Sequence, residues 1–201
     1  MLQLAARRKI VRYAGAMSNT IVARWQDWDA KGIEHLVLRE GTREIVAESV
    51  VVGAANDPVF AVRYRVRCDK SWRVRSAEIG IVGSDRKIEI RGDGKGNWSG
   101  ASGRALPKLA GAIDIDLSAS PFTNTLPIRR LKLRAGQSAE IVTVYILVPG
   151  LTMTTDPQRY TCLEPLKRYR YESIESDFTR DIEVDNRGLV VTYPGLFRRL
   201  L

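Results

Sequence analysis

Residues 62–68 read Val62-Arg63-Tyr64-Arg65-Val66-Arg67-Cys68 and alternate apolar with basic side chains. Successive side chains of a β-strand point to opposite faces of its sheet, so this period of two places all the apolar groups on one face. The segment therefore predicts a strand with one face in a hydrophobic core and a basic face directed outward.

The same period of two continues in both directions along the chain. Runs rich in β-branched and aromatic residues are separated by Gly, Asp and Pro, as in antiparallel β proteins. Tight reversals are predicted at residues 39–42, 83–86 and 185–188. The predicted strands cover residues 20–28, 33–40, 44–53, 59–68, 72–82, 87–91, 113–117, 139–148, 159–163, 167–173, 178–184 and 189–193. Short connections between most of them favour meander pairing, so we expect an all-β domain with minor α content.

Length and charge divide the chain into a basic leader and one domain. The 201 residues carry a net charge of +9, and four of the cations, Arg7, Arg8, Lys9 and Arg12, lie in an acid-free leader. We expect a flexible basic segment at residues 1–18, whose removal leaves stability unchanged, and a single domain at 19–201. Met17 could be the true start. The chain has neither a signal-like apolar core nor an apolar run long enough for a membrane-spanning helix, so a cytoplasmic location is expected.

Signatures of catalysis and of metal binding are missing from the sequence. None of G-x-S-x-G, H-E-x-x-H, a P-loop or a Rossmann fingerprint occurs, and His35 is the only histidine. The two cysteines, Cys68 and Cys162, lack metal-site spacing and are expected to be reduced and buried. These observations predict a protein that is not an enzyme and that needs no metal or cofactor.

A basic patch is predicted around the reversal at residues 69–71. A three-residue turn would place Cys68 opposite Trp72 and would align arginines in facing pairs across the two strands. The facing pairs are Arg67 with Arg73 and Arg65 with Arg75. Because like charges directly opposite each other destabilise a sheet, the patch requires either acidic partners from a third strand or an anionic ligand.

Nucleic acid is one possible anionic partner for these strands. Tyr64, Trp72 and Trp98 lie among or near the arginines and could stack bases. No RNP motif, zinc finger or helix-turn-helix pattern accompanies them, and the charge outside the leader is modest. We therefore predict no nucleic-acid partner.

The densest motif is DIDLSASPFTNTLPIRRL at residues 114–131. Asp114 and Asp116 share one face of a predicted strand, and they can serve either as a metal or acid–base pair or as salt-bridge partners of Arg129 or Arg130. The prolines at 121 and 127 predict a rigid loop, with a short helix beginning near residue 127 and capped by residue 124 or 125. We expect one of the two arginines to be buried and paired.

This motif closely resembles the signature of the bacterial putative glycolipid-binding family, once catalogued only as a domain of unknown function. Further matches to that family's pattern occur, in the same order, at residues 25–28, 64–72, 94–98, 158–160 and 193–195. The resemblance spans about residues 20 to 198. It implies a single rolled or spiral antiparallel sheet (a β-roll or half-barrel), no enzymatic role and no required cofactor.

The resemblance favours a protein that holds an acyl chain on the apolar face of a curved sheet, with a glycolipid or another amphiphile as the partner. The second possibility is an interaction protein with a filled core and no ligand, and the third is an enzyme of unknown type. An apolar cavity would distinguish the amphiphile-binding protein from the interaction protein. Arginines and aromatics at the mouth would meet the head group. The candidate ligand-binding residues are Arg65, Arg67, Arg73, Arg75, Trp72, Trp98, Asn124, Arg129, Arg130 and Tyr193.

Overall fold

The computed structural model describes residues 19–54 and 59–201, so the leader expected at residues 1–18 lies outside the described residues. The strands are β1 (Asn19–Asp27), β2 (Ile33–Glu40), β3 (Ile45–Ala54), β4 (Val59–Cys68), β5 (Val74–Ile81), β6 (Lys87–Gly92), β7 (Trp98–Gly100), β8 (Asp114–Leu117), β9 (Ser138–Leu147), β10 (Thr152–Glu164), β11 (Arg168–Ser173), β12 (Thr179–Val184), β13 (Val190–Tyr193) and β14 (Phe197–Arg199). One α-helix, α1, spans Thr125–Leu131. The predicted all-β class with minor helix is confirmed.

The strands form a single open sheet in the order β7-β6-β5-β4-β3-β2-β1-β14-β13-β12-β11-β10-β9-β8. Each half is a meander, and β1 joins the halves by pairing with β14. The sheet is antiparallel, as expected, except at one place where β8 pairs with β9 in parallel. The chain between them covers residues 118–137 and includes α1, and a crossover of that length is what a parallel pair requires.

The sheet curls so that its β8 edge lies inside. Ile115 and Leu117 of β8 belong to a large core that also holds Leu36 of β2 and Ile79 of β5. A second core lies among β10 to β14 and contains the rings of four buried tyrosines. Asp116 projects from the opposite face of β8 and reaches Gln158 of β10. The apolar face of this edge strand therefore shares a core with β2 and β5, which lie far from β8 in the strand order, so the sheet is rolled.

The segment after β8 fills the space between the two cores. Ser120 begins a 3-10 turn (Pro121–Asn124) by accepting a hydrogen bond from the Phe122 amide, and α1 follows without a break. Phe122 is buried in the large core and Ile128 in the second. The helix begins at Thr125, near Pro127 as expected, and its N-cap residue is Asn124, one of the two expected caps. The Asn124 side chain makes no capping bond, because the 3-10 turn has already set helical dihedral angles there.

Candidate ligand-binding site

A cavity of about 290 Å³ opens at one end of the spiral, where β2 begins and β3 ends. Its walls are mainly apolar, and its volume is close to the roughly 300 Å³ at which small-molecule sites begin. The lining residues are Trp25, Asp27, Gly32, Ile33, Glu34, Val51, Val52, Gly53, Phe60, Ser118, Ala119, Leu147, Val148 and Phe197. We call this space the interior cavity.

Glu34 is a buried acid in the wall of the interior cavity, with 2% of its surface exposed. Its Oε1 accepts hydrogen bonds from Tyr64 at 2.6 Å, Ser49 at 2.7 Å and Ser120 at 2.9 Å. Its Oε2 has no partner within the described part of the chain. Burial raises the pKa of Glu34 to about 7, although the three hydroxyl donors oppose the shift. Glu34 therefore titrates near neutral pH, in a wall that is mainly apolar.

Polar groups also gather on the face of β8 that carries Asp116. The amide Nε2 of Gln158 donates to Asp116 Oδ2 and to Asp156 Oδ2, each at 2.7 Å, and Thr123 donates to Asp116 Oδ1 at 3.1 Å. Gln158 is 1% exposed, and its Oε1 has no partner among the described residues. With three neighbouring tyrosines they form what we call the carboxylate–tyrosine cluster: Asp116, Asp156, Gln158, Tyr145, Tyr171 and Tyr193.

The charge of Asp116 affects the three tyrosines of the cluster. Burial raises the pKa values of Tyr145, Tyr171 and Tyr193, and the negative charge of Asp116 adds to the increase in each of them. Burial likewise raises the pKa of Asp116, while the hydrogen bonds from Gln158 and Thr123 oppose that change. The charge of Asp116 thus acts on all three tyrosines of the cluster.

The interior cavity and the carboxylate–tyrosine cluster are neighbours. Ser118 lines the cavity, and its side chain hydrogen-bonds to Tyr145 of the cluster. Phe197 lines the cavity as well, and its ring centroid lies 6.5 Å from that of Tyr193. The polar cluster therefore lies next to the interior cavity.

The predicted register of the arginine strands is wrong. Arg65 lies opposite Glu78 and Arg67 opposite Ser76, and a bulge places Val74 rather than Trp72 across from Cys68. The turn is longer than expected, since the Asp69 amide donates to the Arg73 carbonyl and the Asp69 carboxylate accepts from the amides of Ser71 and Arg73. Trp72 lies within this turn in the left-handed region, with φ of 63°. The patch of four facing arginines does not form.

Two of these arginines have acidic partners on or directly before a third strand, β3. This is one of the two ways in which the sequence predicted that the patch would be neutralised. Arg65 pairs with Glu48 at 2.6 Å and Arg67 with Glu44 at 3.0 Å, and Glu48 belongs to β3. Arg75 donates to the Asp93 carbonyl, and Arg73 is exposed. Arg65 and Arg67 are therefore neutralised without a ligand, whereas Arg75 contacts a neutral carbonyl.

The arginines after the proline-bracketed loop are both engaged within the protein. Arg130 forms a two-pronged pair with Asp114, with a closest distance of 2.6 Å, and Asp114 is 0% exposed. Arg129 places its guanidinium 4.7 Å from the Trp72 ring centroid and donates to the Arg187 carbonyl. The prediction that one of the two pairs with the Asp114/Asp116 face is confirmed for Arg130, which is partly buried, with 14% of its side chain exposed.

The remaining candidates are buried. Trp98 is 5% exposed and donates its indole N–H to the Ala112 carbonyl at 2.7 Å. Asn124 accepts from the Tyr160 hydroxyl at 2.9 Å. Of the candidate residues, Tyr193 alone belongs to the carboxylate–tyrosine cluster, through its ring contacts with Tyr171 and Phe178.

Most of the candidate arginines lie far from the interior cavity. Arg129 comes within 3.8 Å of Glu40 at the end of β2, whereas Ile33 at the start of the same strand lines the cavity. Eight residues of strand separate the two ends by roughly 23 Å. Sequence reasoning missed Glu34, although it occupies the same alternation as the apolar Leu36 and Leu38 and so interrupts the core-facing pattern.

A larger groove of about 550 Å³ lies on the outer face of β2 to β6. Charges of both signs line it, including Glu48, Arg63, Glu78 and Lys87. Glu48 is already paired with Arg65 and with Arg39. We take the interior cavity as the candidate site, because it combines apolar walls with a buried acid that has an unused oxygen.

The chain belongs to the putative glycolipid-binding family, whose model matches residues 22–199. It is similar to a solved structure, the crystal structure of a DUF1089 family protein from Pseudomonas aeruginosa, with 37% identity and a TM-score of 0.76. That match covers 96% of this chain and all of the other. No curated protein matches the chain. Within the described residues, no helix is long and apolar enough to cross a membrane.

Proposed function

We propose that this protein binds an amphiphile, holds its alkyl chain in the interior cavity and does not catalyse a reaction. The observation that carries the proposal is the apolar cavity of about 290 Å³ in the end of the spiral. An interaction protein with a filled core would have no such space. Membership of a family described as putative glycolipid-binding supports the same class of ligand.

The apolar walls provide the driving force for binding. Each buried methylene contributes about 0.8 kcal/mol, so eight carbons would contribute about 6 kcal/mol before the entropic costs of association. Trp25, Val51 and Phe60 supply large apolar surfaces on one side, and Leu147 and Val148 face them from β9 and the turn that follows it. An alkyl chain is the simplest ligand that matches this lining.

Filling the cavity tests the proposal. The probe is octyl β-D-glucoside below its micelle concentration, titrated into the full chain by calorimetry. Ala119→Phe places a ring in the cavity wall, and Ala61→Phe is the matched control, because Ala61 lies on β4 outside the lining. We expect Ala119→Phe to weaken binding about tenfold or more, since losing two or three buried methylenes costs more than 1.4 kcal/mol.

The control variant should bind as the wild type does, provided that both variants retain the wild-type circular dichroism spectrum. If the wild type does not bind the glucoside, or if both variants bind it as tightly as the wild type, the proposed function is wrong.

A further inference from the structure

Resting on the proposed function, we infer that the polar group of the ligand in the interior cavity is a protonated amine, which the carboxyl groups of Glu34 and Asp27 recognise. The ligand class is then an alkylammonium, a cation at the end of an apolar chain. The walls of the cavity hold the chain, and the two acids bind the nitrogen.

The charged side chains among the described residues that line the cavity are all acidic. Glu34 and Asp27 belong to this lining, and none of its described members is a lysine or an arginine. The whole chain has the opposite bias, with 32 basic and 23 acidic residues. Arg199, whose guanidinium lies 5.5 Å from the ring centroid of Trp25, is itself paired with Asp185 at 2.7 Å. An anionic group would therefore meet two carboxyl groups in the cavity, whereas a cation gains attraction from both.

The two acids lie on the same face of two paired strands. Trp25 is directly opposite Glu34 in the register of β1 and β2, and Asp27 comes two residues after Trp25 on β1. Because side chains alternate between the faces of a strand, Asp27 and Glu34 are diagonal neighbours on the inner face, roughly 7–8 Å apart. One nitrogen between the two side chains can therefore donate to both carboxyl groups.

Each acid keeps one carboxyl oxygen that the protein does not use. Three hydroxyls donate to Glu34 Oε1, while Glu34 Oε2 is buried and has no partner among the described residues. The Lys31 backbone amide donates to Asp27 Oδ1 at 2.7 Å, and no described residue donates to Asp27 Oδ2. A buried oxygen without a partner is costly, so a ligand that donates to it gains affinity. A primary ammonium offers three N–H donors and no acceptor, which matches two unused acceptor oxygens.

Aromatic rings in the same lining add to the attraction for a cation. Trp25, Phe60 and Phe197 line the cavity, and the Trp25 indole N–H is fixed by a 2.7 Å hydrogen bond to the Val190 carbonyl. A cation within about 6 Å of the face of such a ring is attracted by its π electrons. The rings also pack against an alkyl chain, so the lining suits both ends of an alkylammonium.

The test compares three probes with the same eight-carbon chain, octylammonium, 1-octanol and octanoate, by calorimetry on the full chain at pH 7. We expect octylammonium to bind about tenfold or more tightly than octanol, the effect of one charge-assisted hydrogen bond, and octanoate to bind most weakly. Glu34→Gln and Asp27→Asn should each reduce the preference for octylammonium over octanol by about threefold or more. Glu44→Gln is the matched control and should keep the preference, because Glu44 pairs with Arg67 at the end of β3 away from the cavity.

Proton release gives a second measurement that a merely structural role of Glu34 would not produce. The pKa of Glu34 is about 7, so about half of the molecules carry its proton at pH 7, and a bound cation favours the ionised form. Of the elements packed against Glu34, β4 presents Tyr64, β1 presents Asp27, and the others present the hydroxyls of Ser49 and Ser120. Burial and the charge of Glu34 hold the pKa of Tyr64 well above its usual value, so Tyr64 does not titrate here. Octylammonium should therefore release about half a proton from the wild type, measured in buffers with different heats of ionisation, and octanol should release none.

If Glu34→Gln does not fold, Asp27→Asn and the proton release of the wild type still decide. Equal affinities of the wild type for octylammonium and octanol would overturn the amine site and leave the chain site standing. The same conclusion would follow if the preference for octylammonium survived in both Glu34→Gln and Asp27→Asn. Failure of the wild type to bind any of these probes or octyl β-D-glucoside would overturn both proposals.

Discussion

The hydroxyl of Tyr64 donates a 2.6 Å hydrogen bond to Oε1 of Glu34, across the intervening strand β3. Ser49 of β3 and Ser120 of the inserted segment donate to the same oxygen. One carboxyl oxygen thus ties three neighbouring strands to the segment that fills the spiral. The acid lies in the wall of the proposed chain site, so its ionisation bears on stability and on binding.

The free energy of unfolding should fall as the pH rises from about 4.5 to about 7. The folded-state pKa of Glu34 is about 7 and its ordinary value is 4.5, so the native state binds more protons than the unfolded state in this window. The full loss of unfolding free energy, about 3 kcal/mol, is reached above pH 7. Urea unfolding at several pH values measures it.

Glu34→Gln separates this contribution from all other titrations, because the amide keeps the shape and stays neutral. The difference in unfolding free energy between wild type and Glu34→Gln should shift in favour of the variant by a few kcal/mol between about pH 5 and pH 8. A difference that stays constant over that range would show that Glu34 does not titrate there.

Arg130→Ala should destabilise the protein by roughly 3–5 kcal/mol, because it leaves the fully buried Asp114 carboxylate without its partner. Arg129→Ala is the matched comparison one residue earlier. It loses a stacking contact on Trp72 and one hydrogen bond to a carbonyl, worth about 1–2 kcal/mol together. Equal losses in chemical denaturation would contradict the structural role assigned to the Asp114 pair.

Both cysteines should resist thiol reagents in the folded protein. Cys68 and Cys162 are free and buried, at 2% and 0% exposed, and burial raises the pKa of each thiol. Few thiolates form under such conditions, and the thiolate is the reactive species. Ellman's reagent should react slowly with the native chain and rapidly after unfolding in urea; fast modification of the native chain would show that one thiol is accessible.

Much of the fold could be predicted because it follows local alternation. The strands around Val62 and Tyr64 lie where the period of two puts them, with the apolar positions buried and the arginines outward. The register after Cys68 could not be predicted, since it depends on how the Asp69 side chain closes the turn. The parallel placement of β8 depends on packing among residues distant in the sequence, which the local pattern does not contain.

The candidate site was less predictable than the fold. The motif at residues 114–131 contains Asp114 and Arg130, which the sequence predicted as a possible pair. Their contact stabilises the fold and is not part of the candidate site. The interior cavity arises where strands remote in sequence meet, and Tyr145 and Asp156 lie near Asp116 because β9 pairs with both β8 and β10. Spacing along the chain does not encode that proximity. The signal that the sequence does contain is a single acid, Glu34, at a position where the alternation predicts a core-facing apolar residue.

Photo-crosslinking tests directly whether the alkyl chain of a ligand lies in the interior cavity. The probe is an octyl glucoside that carries a diazirine at the end of its alkyl chain. After irradiation, peptide mapping by mass spectrometry locates the labelled residues. If the chain lies in the interior cavity, the labels should be on lining residues such as Val51, Phe60 and Ala119. Labels confined to the outer face, for instance at the exposed Val22 and Val50, would contradict it.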